Sequence, residues 1–321
     1  MPNKKKIHPI EKIQLHSRNK HRERYNFKQL IESCNDLVPY VIINKFGDES
    51  IDFFNPEAVK MLNKALLKHY YNIDYWDIPQ NYLTPPIPGR ADYIHHIADL
   101  LSKSNNHKIP KGNKINCLDI GVGANCIYPI IGYMEYGWSF VGSDVDTTSI
   151  ESASKIIKAN KSLKTVVKLR FQRNTNNIFK GIIHKDEFFD LTICNPPFHA
   201  SKEDAAAATI RKLKNLKQKR NIKTSQNFGG QSNELWYEGG EKGFVEKMIQ
   251  ESKQFGMSCF WFSTLVSKES NLKSIYKSLE NEKVKEVQTI SMGQGNKKSR
   301  IVAWTFLSME QQKKWVKVKW R

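Results

Sequence analysis

Four consecutive residues, Asn195-Pro196-Pro197-Phe198, carry the most specific chemistry in this 321-residue chain. They follow a nearly continuous apolar run, Phe188 to Cys194, which predicts a strand at the centre of a sheet. An aryl amine is a poor nucleophile because its lone pair is delocalised into the ring. The Asn195 carboxamide oxygen and the Pro196 carbonyl would accept the two N–H bonds of such an amine and let its nitrogen pyramidalise as it attacks. Two prolines lock φ and hold that carbonyl in place. Phe198 offers a base a stacking face worth about 1–3 kcal/mol. Outside a fold of this kind the same tetrapeptide would be no more than a rigid strand exit.

A second constellation, Asp119-Ile120-Gly121-Val122-Gly123-Ala124-Asn125, sits where a first strand turns into a helix, and glycine there allows close backbone approach to a nucleoside. Alone, Gly-x-Gly is equally compatible with a tight structural turn. The phosphate-binding fingerprint needs a third glycine near Cys126, and the chain lacks it. A ligand without a pyrophosphate, such as S-adenosylmethionine, has less use for that third approach. Asp144 follows Gly123 by 21 residues, the separation at which an acid reaches ribose hydroxyls. Asp146 is placed to cap the next helix, which leaves Asp144 free.

These residues need a framework, and from residue 115 strands alternate with helices, the pattern of a mostly parallel sheet covered on both faces. Strands are expected at Ile115–Ile120, Ser139–Ser143, Thr165–Phe171, Phe188–Cys194, Ser258–Thr264, Val284–Ser291 and Ile301–Leu307. Helices are expected at Ile127–Tyr136, Thr147–Asn160, Phe244–Phe255 and Leu272–Asn281. Upstream, Asn55-Pro56-Glu57 reads as an N-cap followed by proline at the first helical position. The stretch Thr84 to Gly89 is expected to stay non-helical up to Arg90, with a helix from Ala91 to Ser102.

The chain carries 51 Lys and Arg against 32 acids, a net charge of +19 that predicts a polyanionic partner. Residues 1–28 contribute +7, residues 198–223 +6 and residues 310–321 +4, so the surplus lies in arms and one internal loop. The arm lacks apolar periodicity and is expected to be flexible until a partner orders it. Five cysteines without close pairing point to reduced thiols and a cytoplasmic protein. No leader and no membrane span are expected. His95-His96 lack companion ligands, so no metal is expected. Trp304, Trp315 and Trp320 read as packing residues, and His199 fits substrate contact and loop packing equally well.

Taken together, Pro88-Gly89-Arg90-Ala91-Asp92-Tyr93, Leu118-Asp119-Ile120-Gly121, Cys126-Ile127-Tyr128-Pro129, Asn195-Pro196-Pro197-Phe198, Asn227-Phe228-Gly229-Gly230 and Ser299-Arg300-Ile301-Val302-Ala303-Trp304 resemble the RlmF-type family. Its bacterial members methylate an adenine N6 of 23S ribosomal RNA. The chain is similar, more distantly, to a human methyltransferase-like enzyme acting on U6 small nuclear RNA. The resemblance runs from Asn19 to Trp304. It implies that Arg90 pairs the carboxylate of S-adenosylmethionine, that Gly121 and Asn125 line the methionine moiety and Asp144 holds the ribose, with Asp119 and Gly123 in the same cofactor site. Asn174 is implied near the cofactor adenine.

The expected architecture is a Rossmann-like class I methyltransferase with a seven-stranded, mostly parallel sheet over residues 111–309. A basic arm (1–28) and a helical accessory module (29–110) precede it, and a basic tail (310–321) follows. Arg18, Lys20, Arg22 and Arg24 of the arm, with Lys297, Lys298 and Arg300 of a late turn, are expected to join the 198–223 loop in one RNA-binding groove. The resemblance implies 23S ribosomal RNA as the partner, free or in an assembling particle, and the enzyme is expected to be a monomer. Three alternatives stay open at this point: a protein glutamine acceptor, a DNA adenine acceptor, and a basic ribosome-assembly factor without catalysis.

Overall fold

A computed structural model describes residues 11–201, 204, 236–294 and 297–320. Seven strands form one sheet in the order β5-β4-β3-β6-β7-β9-β8. These are β3 (Asn116–Ile120), β4 (Ser139–Asp144), β5 (Val167–Phe171), β6 (Phe189–Cys194), β7 (Cys259–Val266), β8 (Glu286–Gln294) and β9 (Lys297–Thr305). Neighbours from β5 through β7 run parallel, while β9 is antiparallel to both β7 and β8. The chain leaves β3 for β4 and β5 on one side and later places β6 and β7 on the other. This reversal opens a crevice at the carboxyl ends of β3 and β6. The two strands end level, with Ile120 opposite Cys194, so the loops that follow both border that crevice.

Side-chain alternation along the strands divides the interior into two cores. In β3, Cys117 belongs to one and Leu118 to the other. The first core takes in α2 (Pro56–Tyr71), α3 (Ile87–Lys103), α4 (Ile127–Tyr136) and α5 (Thr147–Ala159). The second takes in α6 (Gly240–Ser252) and α7 (Leu272–Asn281). The N-terminal residues share the first core without a break, from Phe27 and Leu30 of α1 (Phe27–Ser33) to Ile130 and Phe140. Among them lies an antiparallel hairpin, β1 (Val41–Ile43) with β2 (Glu49–Ile51), which the helical reading of this region did not include.

Most of the expected elements are present, and the departures have physical causes. Asn55 caps α2 by accepting from Glu57 N and Ala58 N, with Pro56 first in the helix. Helix α3 begins at Ile87 rather than Ala91, because a proline in the first turn has no intrahelical N–H to lose. Arg90 is therefore helical and buried. The β8–β9 hairpin is longer than expected, so Lys297, Lys298 and Arg300 lie on a strand rather than in a turn.

The described part of the arm, residues 11–28, packs against the helices, contrary to the expected flexibility. Polar contacts hold it together with buried Leu15 and Phe27. Asn19 Nδ2 donates to Pro88 O and to Asp92 Oδ1 at 2.9 Å each, His16 N donates to Asp92 Oδ1 at 2.7 Å, and His21 Nε2 meets Tyr71 OH at 3.0 Å. Asn19 and His21 are buried.

The C-terminal tail is likewise a helix, α8 (Met309–Lys319), started by a Ser308–Gln311 capping box. Its Trp315 and the following Trp320 both donate indole N–H groups to Asp190 Oδ1, at 2.7 and 2.6 Å, while Asn116 N donates to Oδ2 at 2.8 Å. Trp304 is buried, with its ring stacked on Phe262. All three tryptophans thus serve packing. Asp190 is itself buried at the sheet centre, and a hydrogen bond to a charged group contributes about 1.5–3 kcal/mol. Asp190→Ala is expected to lower the unfolding free energy by about 3 kcal/mol or more in urea titration. Trp320→Phe, which leaves Trp315 in place, is expected to cost about 1–2 kcal/mol. Equal small losses would mean that apolar packing alone holds α8.

Candidate active site

The crevice holds a cavity of about 460 Å³. Its floor is the loop after β3, where Gly121 (φ +74°) and Gly123 (φ +64°) adopt left-handed conformations that side chains rarely tolerate. Gly121 N and Val122 N both donate to Ser143 O at 2.9 Å. Asn125 Oδ1 accepts from Ile127 N and closes the turn into α4. Gly121, Gly123 and Asn125 all line the cavity.

Asp144, at the end of β4, also lines it. Asp146 supplies the cap of α5 by accepting from Ser149 N, so Asp144 is free for another role. Its Oδ2 accepts from Gly123 N at 2.9 Å and its Oδ1 from Asp146 N at 3.0 Å. These bonds aim the carboxylate and leave lone pairs for ribose hydroxyls. Burial pushes the Asp144 carboxyl up to about 6, against the hydrogen bonds from Asp146 and Gly123.

Asp119 is more extreme. It is 1% exposed, and neither oxygen has a hydrogen-bond partner among the described residues. Burial, aided by the nearby Asp144 charge and opposed by Arg90, pushes its carboxyl up to about 8. A buried acceptor left without a donor is costly, and keeping the proton offsets that cost. Asp119 does not line the cavity, although the adjacent Ile120 and Gly121 do.

Arg90 reaches the cavity from the first turn of α3. Its Nη1 donates to Tyr128 OH and to Asn195 Oδ1, each at 2.9 Å. Asn195, bonded to it, and Pro197 line the cavity beside Arg90, Pro196 is buried, and half-buried Phe198 is not among the lining residues. The loop is braced by Tyr237 N donating to His199 O at 3.0 Å, so His199 has at least a packing role. Gly240 (φ +64°) comes so close that a Cβ there would meet Ala200 N at 3.4 Å.

The far wall is formed by Gln172 and Thr175 to Ile178. Asn174 is not among the lining residues. Its side chain accepts from Asn176 N and shapes the turn instead. Tyr128, Gln172, Trp236, Tyr237 and Phe244 line the cavity without having been singled out from the sequence. Of these only Tyr128 stood in a motif already noted, and an aromatic or amide side chain carries no spacing signal of its own. No cluster of metal-ligating side chains occurs among the described residues.

A model of an RNA methyltransferase family matches residues 10–308. The chain belongs to this family. It is 61% identical over 317 residues to the ribosomal RNA large subunit methyltransferase F of Cytophaga hutchinsonii, covering 99% of this chain and 98% of that protein. Against the protein of the same name from Photobacterium profundum it is 55% identical, covering 98% of each. The catalytic domain of human METTL16, solved with a MAT2A 3′UTR hairpin, superposes with a TM-score of 0.76 at 29% identity, covering 92% of this chain and 96% of that one. The N-terminal domain of human METTL16, solved with SAH, gives 0.72 at 26% identity, with 92% and 99% covered.

Membership in the RNA methyltransferase family makes the chain an S-adenosylmethionine-dependent enzyme with a Rossmann-like fold, and the cavity fits that cofactor. Arg90 could offer a guanidinium for its carboxylate, Asp144 an acceptor for its ribose, and Gln172 with Thr175 to Ile178 a surface for its base, whereas Asp119 does not itself line the cavity. Because folding keeps a proton on Asp119 that the unfolded chain releases, stability falls as pH rises from about 4 to about 8, by up to ~1.4 kcal/mol per unit. Buried His21 and His95, each held down to about 3, oppose this trend below about pH 6.5, so the ligand-free melting temperature is expected to drop from about pH 7 to 8 in scanning calorimetry. Asp119→Asn should flatten that slope and raise stability at pH 8. An unchanged slope would remove Asp119 as its source.

Proposed function

We propose that this enzyme methylates the N6 amine of a specific adenine in 23S ribosomal RNA, acting as a monomer in the cytoplasm. The observation that carries the reading is the Asn195-Pro196-Pro197-Phe198 loop, which meets Arg90 across one cavity with Asp144 on the adjoining wall. When bound, S-adenosylmethionine supplies an electrophilic methyl group on a sulfonium. Asn195 Oδ1 and the Pro196 carbonyl accept the N–H bonds of the adenine amine, while the prolines keep the carbonyl from swinging away. Preorganised acceptors of this kind lower the barrier without rearranging during the reaction. No side chain needs to act as a strong base, because an amine that commits its lone pair becomes acidic enough for water to deprotonate. The five cysteines are free and buried, as suits a reducing compartment.

The RNA surface begins at the arm and the β8–β9 hairpin, which touch: Gln14 packs within 3.5 Å of where a Cβ on Gly293 would stand. Arg18 pairs with Asp99 at 2.6 Å, Lys20 with Glu135, Arg22 with Glu11 and Arg24 with Asp48 at 2.9 Å each, and Arg300 with Glu269 at 2.5 Å. Lys298 is exposed. Surface pairs of this sort contribute about 0–1 kcal/mol, so phosphates can displace the carboxylates. Arg18 also donates to Tyr136 OH and His95 O, which makes it a fixing of the arm as well. The 202–223 part of the groove lies outside the described residues, apart from Asp204.

The deciding experiment follows labelled methyl into 23S ribosomal RNA lacking the modification, offered free and in partly assembled particles, with digestion to nucleosides. Wild type is expected to form N6-methyladenosine, and Asn195→Ala to lose at least ~100-fold in rate. Label entering protein instead would point to a glutamine acceptor. Neutralising Lys20, Arg22 and Arg24 together should weaken RNA binding and reduce the slope of log affinity against log salt by roughly 2–3. An unchanged slope would take the arm out of the interface.

A further inference from the structure

One buried carboxylate outside the cavity is held in an unfavourable place. Glu251 lies in the last turn of α6 and is 6% exposed. There it faces the negative end of the helix dipole and has lost its hydration. What offsets this is a set of main-chain donors from a distant segment. Oε1 accepts from Ile178 N at 3.1 Å, Phe179 N at 2.7 Å and Lys180 N at 2.6 Å, and Oε2 accepts from Ile178 N at 3.0 Å. Successive N–H groups converging in this way make an anion cradle, filled here by the protein's own side chain.

The cradle is continuous with the cavity wall beyond Asp144, since Thr175 to Ile178 line that wall. Gln172 fixes the same segment from the other side, accepting from Asn174 N and donating to Lys180 O at 3.0 Å each. Buried Phe179 anchors it on Phe262, ring centroids 5.4 Å apart. Without an anion, three converging N–H groups would be left buried and unpaired. The segment would open to reach water, and the wall would move with it.

We propose that Glu251 is a positioning residue for the cofactor: it fixes the Thr175–Ile178 wall against which the nucleoside end of S-adenosylmethionine lies, and so sets affinity without touching the ligand. The inference rests on the cofactor reading above and extends it to a residue more than seventy positions away in sequence. Glu251→Gln keeps the shape and one acceptor oxygen but removes the charge and turns an amide N–H toward a main-chain N–H.

Titration calorimetry of the full chain with S-adenosylhomocysteine is expected to show Kd raised about tenfold, roughly 1.4 kcal/mol. 5′-Methylthioadenosine, which keeps the nucleoside end alone, should lose the same factor. In steady state, KM for S-adenosylmethionine should rise equally, while kcat at saturation and KM for RNA stay within twofold. Glu251→Asp, which retracts the charge by one methylene, should give an intermediate loss and serves as the probe if the glutamine form does not fold. An unchanged Kd with a lowered melting temperature would reduce Glu251 to a structural strut and overturn the proposal. So would a loss confined to kcat, or one spared with 5′-methylthioadenosine. Failure of wild type to bind S-adenosylhomocysteine would instead remove the cofactor reading, and this inference with it.

Discussion

The parallel pairing of β3 with β6 sets where everything else can be. With Ile120 level with Cys194, the chain emerges from both strands at one height, so the glycine loop and the Asn195 loop face each other across the crevice. A slip of one residue in β6 would turn its side chains to the opposite faces. Leu191 and Ile193, now in one core with Phe260 and Trp261, would exchange with Thr192 and Cys194. Every residue of β6 is buried, so such a slip would disturb both cores at once. The catalytic register is thereby tied to the hydrophobic one.

Buried carboxylates show how the molecule separates support from function. Glu251 and Asp190 are satisfied by N–H donors of the chain itself. Glu241 likewise accepts from Ser267 N, Lys268 N and Asn271 Nδ2. Asp119, equally buried, has no such donor among the described residues. A protein gains nothing in stability from an orphaned carboxylate, and burial instead keeps the Asp119 proton on, with its carboxyl pushed up to about 8. Asp144 is intermediate: it takes two main-chain N–H groups and stays open to the cavity. Asp119 is close enough to feel the charges of both Asp144 and Arg90, which ties the two walls of the cavity together electrostatically.

The parts of this site that could be read from sequence are those whose chemistry is local. Asn195-Pro196-Pro197-Phe198 states its backbone geometry through its prolines. Asp146 announces itself as a cap and so releases Asp144. The glycine pair marks positive φ. Gln172 and Glu251 are invisible in the same text, because their partners lie on another element or are main-chain groups with no residue identity. Asn174 was the implied contact, yet it shapes the turn that presents its neighbours. The arm was misjudged for a related reason. Its order comes from Asn19, His16 and His21 bonding to helices about 50 to 80 residues away, and hydrophobic periodicity carries no trace of such contacts.

Arg90 joins the two halves of the reaction site in a way that no smaller cation would. A single nitrogen of its guanidinium, Nη1, holds both Tyr128 OH and Asn195 Oδ1, which leaves the Nε and Nη2 edge of the fork for a carboxylate. The guanidinium lies 5.4 Å from the centre of the Tyr128 ring, so its plane is set before any ligand arrives. Asn195 in turn has one lone pair on Oδ1 committed to Arg90 and one remaining for an acceptor amine. A lysine could carry the charge but could not hold three partners in fixed directions. The group proposed to anchor one end of the cofactor is therefore also the group that orients the Asn195 amide proposed to receive the base, and the crevice between β3 and β6 is the place where the fold brings both within reach of a single side chain.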